Sequence, residues 1–557
     1  MTNERPENVW AATLPNGLRV RVLCKPDFQR SYAVFATCYG GADRRFRVND
    51  TWTDTPAGVA HYLEHKLFDM PDGSDALLTL SENGADPNAF TSTNMTAYYF
   101  SCTDRFEDNL RTLLRFVSTP YFTDASVAKE QGIIAQEIRM GEDDPDRAVW
   151  RDLMRCLLAR DGARDAVAGT VESIAQITPE TLYTCHRAFY APSNMVLCAV
   201  CQDTPERVAA IAAEILPPDL SPVPAADHGA PEDMTPAQAR MRVELAVSAP
   251  QMLLGAKFRP AEKGEARLRQ TLTAELALQA AFGEATAFYN DLYRAGLLGD
   301  DFGCSADYCG PIAMAVLGGE SKDPDAVCAR VSETVAQIAR DGFDGPAFER
   351  ARRAVYGGWL RGLDRFDDVC IAMAEGLFGG YEHMDAFPLL GEITAAECAK
   401  WLTETLAPER LALSVVAPKV GEDDADDDAV DTERGEVVLL DVSHEEANRN
   451  DRHDERADDA HHQHHDLGLG HDQAFHHELR CLHYAPAEHD GDGKEERVFC
   501  GGGTRTAAEH AADQTLGQLI AAQNARPRDK REKHRRRRDG QQRFEHHAMV
   551  ELFPRDA

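Results

Sequence analysis

Six prolines fall between residues 216 and 237, mixed with Gly, Asp and Ala. Proline fixes φ and removes a backbone donor, so neither a helix interior nor a central strand can run through such a stretch. It divides the chain and predicts an extended linker over 216–237. At 557 residues the chain is also too long for one ordinary core. The break gives one domain over 1–215 and a second over 238–420. In the first, residues 18–23 alternate as a strand does, and 32–39, 98–102 and 195–201 read as further strands. Helices are predicted after Thr55-Pro56, over 106–117, and after Thr178-Pro179, where Thr and Pro suit the N-cap and first turn. In the second, strand-like 251–258 precedes a helical run over 265–294, and 411–416 reads as a last strand. The similar order points to a duplicated α+β unit, although no strong residue-level repeat is visible.

From residue 421 the character changes. Residues 421–436 are acidic, 444–547 hold 15 of the 20 histidines, and 526–538 are strongly basic. Few apolar residues are periodic there, so 421–557 is expected to be a low-complexity tail without a packed core. Its histidines, such as His461, His462, His464 and His465, suit loose metal binding, and a metal-handling role is one reading of the tail.

Composition excludes some functions. The formal net charge of -34 argues against nucleic acid as a partner. No stretch of eighteen apolar residues occurs, so no membrane span is expected. The N-terminus lacks the basic start and apolar run of an export signal, which places the protein in the cytoplasm. The 14 cysteines then read as reduced thiols. One C-x-x-C, Cys198 to Cys201, lies in a strand pattern, where residues three apart face opposite sides, so it reads as structural.

The segment His61-Tyr-Leu-Glu-His65 carries chemistry. At ~100° per residue, Val59, Leu63 and Leu67 share one helix face, and His61, Glu64 and His65 the opposite one. Histidines four apart can reach one ion. A catalytic zinc takes three protein ligands and keeps one position for water, so a third ligand must come from elsewhere. Glu64 is better suited to act as the general base. Downstream, Glu130 and Glu137 are two turns apart on one helix face, flanked by Ile133 on one side and Ile134 and Ile138 on the other. Either glutamate can complete a His-His-Glu set.

Several further segments accompany the motif: Lys66-Leu-Phe68, 84–92 with 96–98, 130–140, 169–174 and 189–195. Together they resemble the pitrilysin/insulinase family of zinc metallopeptidases, which includes the mitochondrial processing peptidase, over about residues 10–420. The resemblance is strongest to its small bacterial branch. It implies two homologous α/β-sandwich halves enclosing a chamber, with one zinc ion per chain. It implies His61, His65 and Glu137 as metal ligands, Glu64 as the base and Glu130 as an assisting acid. Asn88, Ala89 and Phe90 fall on the strand along which an extended peptide substrate pairs. Many members also grip substrate with an Arg and a Tyr in the second half. Here Tyr293 stands where the Arg is expected, and Arg294 is the neighbouring candidate.

The function expected is thus a zinc-dependent endopeptidase acting on short or unfolded peptides. The altered second half gives an alternative, a largely inactive binding or assembly subunit of a heteromeric peptidase. In either case the expected partner is a metal-free homologue or a second copy of the chain.

Overall fold

The computed structural model describes residues 4–419, and the tail read above from 421 lies outside the described residues. The N-terminal half opens with β1 (Trp10–Thr13), β2 (Arg19–Cys24) and β3 (Ser31–Thr37). A hairpin of β4 (Arg45–Val48) and β5 (Thr51–Asp54) leads to α1 (Val59–Lys66) and α2 (Ala76–Glu82). Then come β6 (Ala85–Thr91), β7 (Thr96–Cys102), α3 (Phe106–Ser118), α4 (Asp124–Glu142) and α5 (Pro145–Leu157). The half closes with α6 (Val171–Ile174), α7 (Pro179–Phe189) and β8 (Met195–Cys201), followed by α8 (Pro205–Ile215) and β9 (Ala225–Ala226).

The second half restarts the series with β10 (Arg240–Leu245), β11 (Gln251–Phe258), α9 (Glu265–Phe282) and α10 (Ala287–Arg294). It continues with β12 (Gly303–Cys309), β13 (Ile312–Glu320), α11 (Pro324–Asp341), α12 (Gly345–Gly362) and α13 (Phe366–Gly379). It ends with α14 (Ala386–Leu390), α15 (Ala395–Thr405) and β14 (Leu411–Pro418). The sheets repeat as well. One is ordered β1-β2-β8-β3-β7-β6 and the other β10-β14-β11-β13-β12. In the first, β2 pairs parallel with the last strand, β8; in the second, β10 pairs parallel with the last strand, β14; all remaining pairs are antiparallel. The chain is therefore a structural duplication in which α9 and α12 are the counterparts of α1 and α4.

Each half covers one face of its sheet with its own helices and lends one helix to the other half. Val369, Cys370, Met373 and Leu377 of α13 pack on Tyr32, Val34, Val196 and Cys198 of the first sheet. Ala148, Val149, Leu153 and Leu157 of α5 pack on Leu253, Met314, Val316 and Val416 of the second. At Gly255 the approach is so close that a Cβ would stand 3.1 Å from Leu153 and Leu157. This exchange is not contiguous in sequence: α5 lies within 1–215 but belongs spatially to the second sheet. Cys198 faces α13 while Cys201 faces the opposite core, as the period of a strand requires.

Two local expectations need correction. Thr55 does not cap α1. Its hydroxyl donates to the Arg44 carbonyl at 2.9 Å, and the helix starts after Gly58, whose φ of 93° places its Cα hydrogen, where a side chain would stand, against the Ala168 carbonyl. The run over 265–294 is two helices, because Gly283 ends α9 and Thr286 caps α10. Within 216–237 the backbone is anchored at two points: β9 pairs with β4, and the Glu232 carboxylate accepts the N–H groups of Ala159, Arg160 and Asp161.

Candidate metal centre

Helix α1 is buried almost all round, so its polar residues face an interior surface and not bulk water. Val59, Leu63 and Leu67 enter the main core of the first half, with Tyr62 beside them. The Tyr62 hydroxyl donates to the Val127 carbonyl at the start of α4 and ties the two helices together. Helix α4 is started by Thr123, whose side chain accepts from the Ser126 N–H in a capping box. Ile134 is buried and Ile138 packs on the same core, whereas Ile133 is 45% exposed, so only one flank of the glutamate face is walled.

The packing of α1 on α4 brings the imidazoles to the carboxylates. His61 Nε2 lies 3.9 Å from Glu137 Oε1, and His65 Nε2 lies 3.8 Å from Glu137 Oε2. The two rings are 4.6 Å apart, inclined at 63°. One donor atom from each of His61, His65 and Glu137 lies within 4.8 Å of the others, the one such trio among the described residues. Glu130, one of the two glutamates the sequence left open as third ligand, takes a different place. Its Oε1 lies 3.0 Å from His65 Nδ1, on the far side of the ring from Glu137.

Electrostatics fit this division. Burial opposes a charge on His65, yet the Glu130 hydrogen bond and the carboxylates of Glu64 and Glu137 hold its pKa above the ordinary histidine value. Burial alone would raise the pKa of Glu130, but His65 and then Lys66 hold it below the usual carboxylate range. Lys66 is itself buried, with Nζ 3.8 Å from Glu130 Oε2 and an ion pair to Asp69.

Glu64 points to β6. Its Oε2 accepts a 2.5 Å hydrogen bond from the Thr91 hydroxyl, and Thr96 Oγ1 stands 3.3 Å from that hydroxyl while donating to the Tyr39 carbonyl. Reasoning from sequence missed Thr91 and Lys66 as parts of the site. Both lie in segments that carry the family resemblance, which was the available signal.

Asn88, Ala89 and Phe90 lie on β6, which pairs with β7 and forms one edge of the first sheet. The Ser92 N–H donates to Met95 at the hairpin, and backbone groups alternate sides along a strand, so Ala89 directs its N–H and C=O away from β7. The Asn88 side-chain oxygen accepts that N–H at 2.8 Å. Pro87 shares this parity, so its missing donor falls on the open side, as suits an edge. Tyr293 and Arg294 belong to another layer. They end α10, which packs on α9 and α11, and Tyr293 is 51% exposed with its ring stacked on Tyr289.

The second half has the same helices without the same side chains. Between α9 and α12, Trp359 Nε1 donates to Glu275 Oε1 at 2.9 Å. A repeated α/β architecture that, among the described residues, holds a His-His-carboxylate cluster in one half only defines a two-half protein with a candidate metal centre. Comparisons with known proteins agree. Residues 52–170 match the family model described as Insulinase (Peptidase family M16), and residues 176–355 match that described as Peptidase M16 inactive domain. The chain is 34% identical over 424 residues to the uncharacterized zinc protease YmfH of Bacillus subtilis (strain 168), covering 74% of this chain and 97% of the relative. A putative M16-like peptidase from Alicyclobacillus acidocaldarius superposes with a TM-score of 0.71 at 33% identity, over 75% of this chain and 99% of that one. A protease from Helicobacter pylori shares the fold with a TM-score of 0.63 at 14% identity, over 74% of this chain and 100% of that one. The chain belongs to peptidase family M16, the insulinase family. No helix among the described residues is long and apolar enough to cross a membrane.

Proposed function

We propose that this protein is a zinc-dependent endopeptidase that hydrolyses short or unfolded peptides, with Glu64 as the general base. The observation that carries the reading is the trio His61, His65 and Glu137, with donor atoms within 4.8 Å of one another. Imidazole nitrogen and carboxylate oxygen are donors that zinc accepts, and bonds of ~2.0–2.2 Å in tetrahedral geometry separate ligand atoms by about 3.4 Å. Separations of 3.8 and 3.9 Å are within a small side-chain rotation of that spacing. One zinc ion per chain is held by these three residues in this reading. Bound there, it supplies Lewis acidity that polarises a carbonyl and lowers the pKa of water.

The chain's own residues supply the rest. Glu130 accepts the His65 Nδ1 proton, which fixes the tautomer and leaves Nε2 as the ligand atom. Thr91 engages one oxygen of Glu64, so the other takes the proton from the attacking water and returns it to the departing amine. An extended peptide adds along Asn88, Ala89 and Phe90 by backbone pairing to the outward-facing Ala89, displacing the Asn88 side chain from the Ala89 N–H, and this mode selects unfolded segments over folded ones. Tyr293 and Arg294 are the proposed contacts from the second half, and the cytoplasm is the proposed compartment, in line with the thiol-rich sequence.

The test is Glu64→Gln. It is expected to retain one zinc per chain by elemental analysis and to lose peptide cleavage. A fully active variant refutes the assignment. A second reading, an assembly subunit that works with a homologous partner, is favoured by Tyr293 standing where an Arg is expected. Cleavage by the isolated chain excludes it, whereas no cleavage alone or with the homologue supports it.

A further inference from the structure

The duplication leaves one edge uncovered. In the first half β1 pairs antiparallel along the outer side of β2. β10, the counterpart of β2, pairs with β14 and with no other strand among the described residues. The Leu413 N–H donates to the Ala239 carbonyl, and the Lys419 N–H to that of Leu245. Odd-numbered residues of β10 therefore turn their peptide groups to β14, and Arg240, Arg242 and Glu244 turn theirs outward; the Arg240 carbonyl accepts from the Gln238 side-chain amide at 2.6 Å, so the open stretch of the edge is Arg242 to Glu244. The side chains of those three are exposed as well, while Met241, Val243 and Leu245 pack against the cluster beneath α5. An edge with unpaired N–H and C=O groups is a template for another strand.

We propose that β10 is a self-association surface, on which two copies of this chain pair antiparallel about a two-fold axis at Val243. The charge pattern selects both the occupant and the register. Hydrogen-bonded pairs across the new junction can form only between outward-facing residues. Registers that set Arg240 against Arg240 or Arg242 place like charges opposite each other, which leaves Arg242 opposite Arg242, Arg242 opposite Glu244, or Glu244 opposite Glu244. The first and last set like charges against each other. The second pairs Arg242 with Glu244 twice, sets Val243 against Val243 and Met241 against Leu245, and is self-complementary as a two-fold interface requires. Arg240 does not compete for Glu244, because its guanidinium already pairs with Asp325 at 3.1 Å and a second, shorter contact. Pairing joins the two five-stranded sheets into one across the dimer. The inference is independent of the peptidase reading.

The experiment is sedimentation velocity on the full chain over a concentration series. A monomer–dimer equilibrium is expected. Arg242→Glu and Glu244→Arg are each expected to raise the dimer Kd about tenfold or more, and the double swap to restore it to within about threefold. Both side chains are exposed, so an unchanged melting temperature at low concentration shows that the swaps leave the fold intact. Val243→Cys is expected to form a disulfide-linked dimer under mild oxidation, and Met241→Cys is not, since only the former lies on the axis. A chain that stays monomeric, a dimer indifferent to the single swaps, or a double swap that fails to restore association overturns the proposal. So does a Val243→Cys disulfide to Cys481 or Cys500 of the same chain, found by peptide mass spectrometry, which would give the edge to the tail.

Discussion

The two halves of this protein run through the same series of elements, yet they hold carboxylates in opposite states. Between α1 and α4, Glu130 is kept below the usual carboxylate range by His65 and Lys66. Between the counterpart helices α9 and α12, Glu275 has one indole donor, and burial pushes it up to about 7. The backbone frame is common to both, so it cannot by itself make a metal site. A few side chains on two facing helices decide whether that frame gathers charge for a cation or suppresses it. This is how the second half of this chain keeps the fold without a metal-ligand trio among its described residues.

Removing a ligand should break the comparison most severely. His61→Ala, His65→Ala or Glu137→Ala is expected to leave the first half, like the described residues of the second, without a metal-ligand trio. Zinc content should fall from one per chain to near zero by elemental analysis, with cleavage lost by at least ~10²-fold. Retention of stoichiometric zinc in any of the three would show that another residue completes the site.

Glu130→Gln comes next. It keeps the shape but replaces a charged acceptor behind His65, and loss of such a partner typically costs ~10–100-fold in metal affinity or activity. Competition with a chelator measures the affinity. An unchanged value would reduce Glu130 to a structural ion-pair partner of Lys66. A smaller effect is expected for Thr91→Val, which removes the hydroxyl held by Glu64. Zinc content and KM should be unchanged while kcat falls about tenfold, of the order expected for one charge-assisted hydrogen bond of ~1.5 kcal/mol. Thr91→Ser should recover most of the loss, and a variant with normal kcat would remove Thr91 from the site.

These residues differ in how openly the sequence declares them. His61, Glu64 and His65 are legible because a single helical turn sets their spacing. Glu130 and Glu137 show a seven-residue spacing, but nothing local says which binds metal. That depends on how α4 crosses α1, with Tyr62 bonded to Val127. Thr91 reaches Glu64 only through the register of the β6–β7 hairpin, a pairing between distant segments. The proline-rich break and the two α+β patterns were visible, whereas the exchange of α5 and α13 was not. It arises from apolar faces that find their partner sheet more than eighty residues away. The split of 265–294 into two helices turns on Gly283, which the helical pattern on both sides masked.

The smallest effect should come from the second half, and it sharpens the contrast of charge states. Glu275 has its pKa raised from an ordinary 4.5 to about 7, with burial as the main cause and the Trp359 hydrogen bond opposing it. The folded state therefore binds a proton that the unfolded state has released between these values. The stabilisation from protonated Glu275 is fully present below pH 4.5 and is lost as pH rises through about 7. Glu275→Gln keeps an oxygen to accept the indole N–H but never ionises. It is expected to melt ~2–4 °C above the parent at pH 8, corresponding to about 1 kcal/mol, with the difference gone by pH 5. Zinc content and cleavage should not change, since the substitution lies outside the first-half cluster. A Tm difference that is constant with pH would mean that Glu275 does not titrate on folding, and the two halves would then differ in side chains but not in how they manage charge.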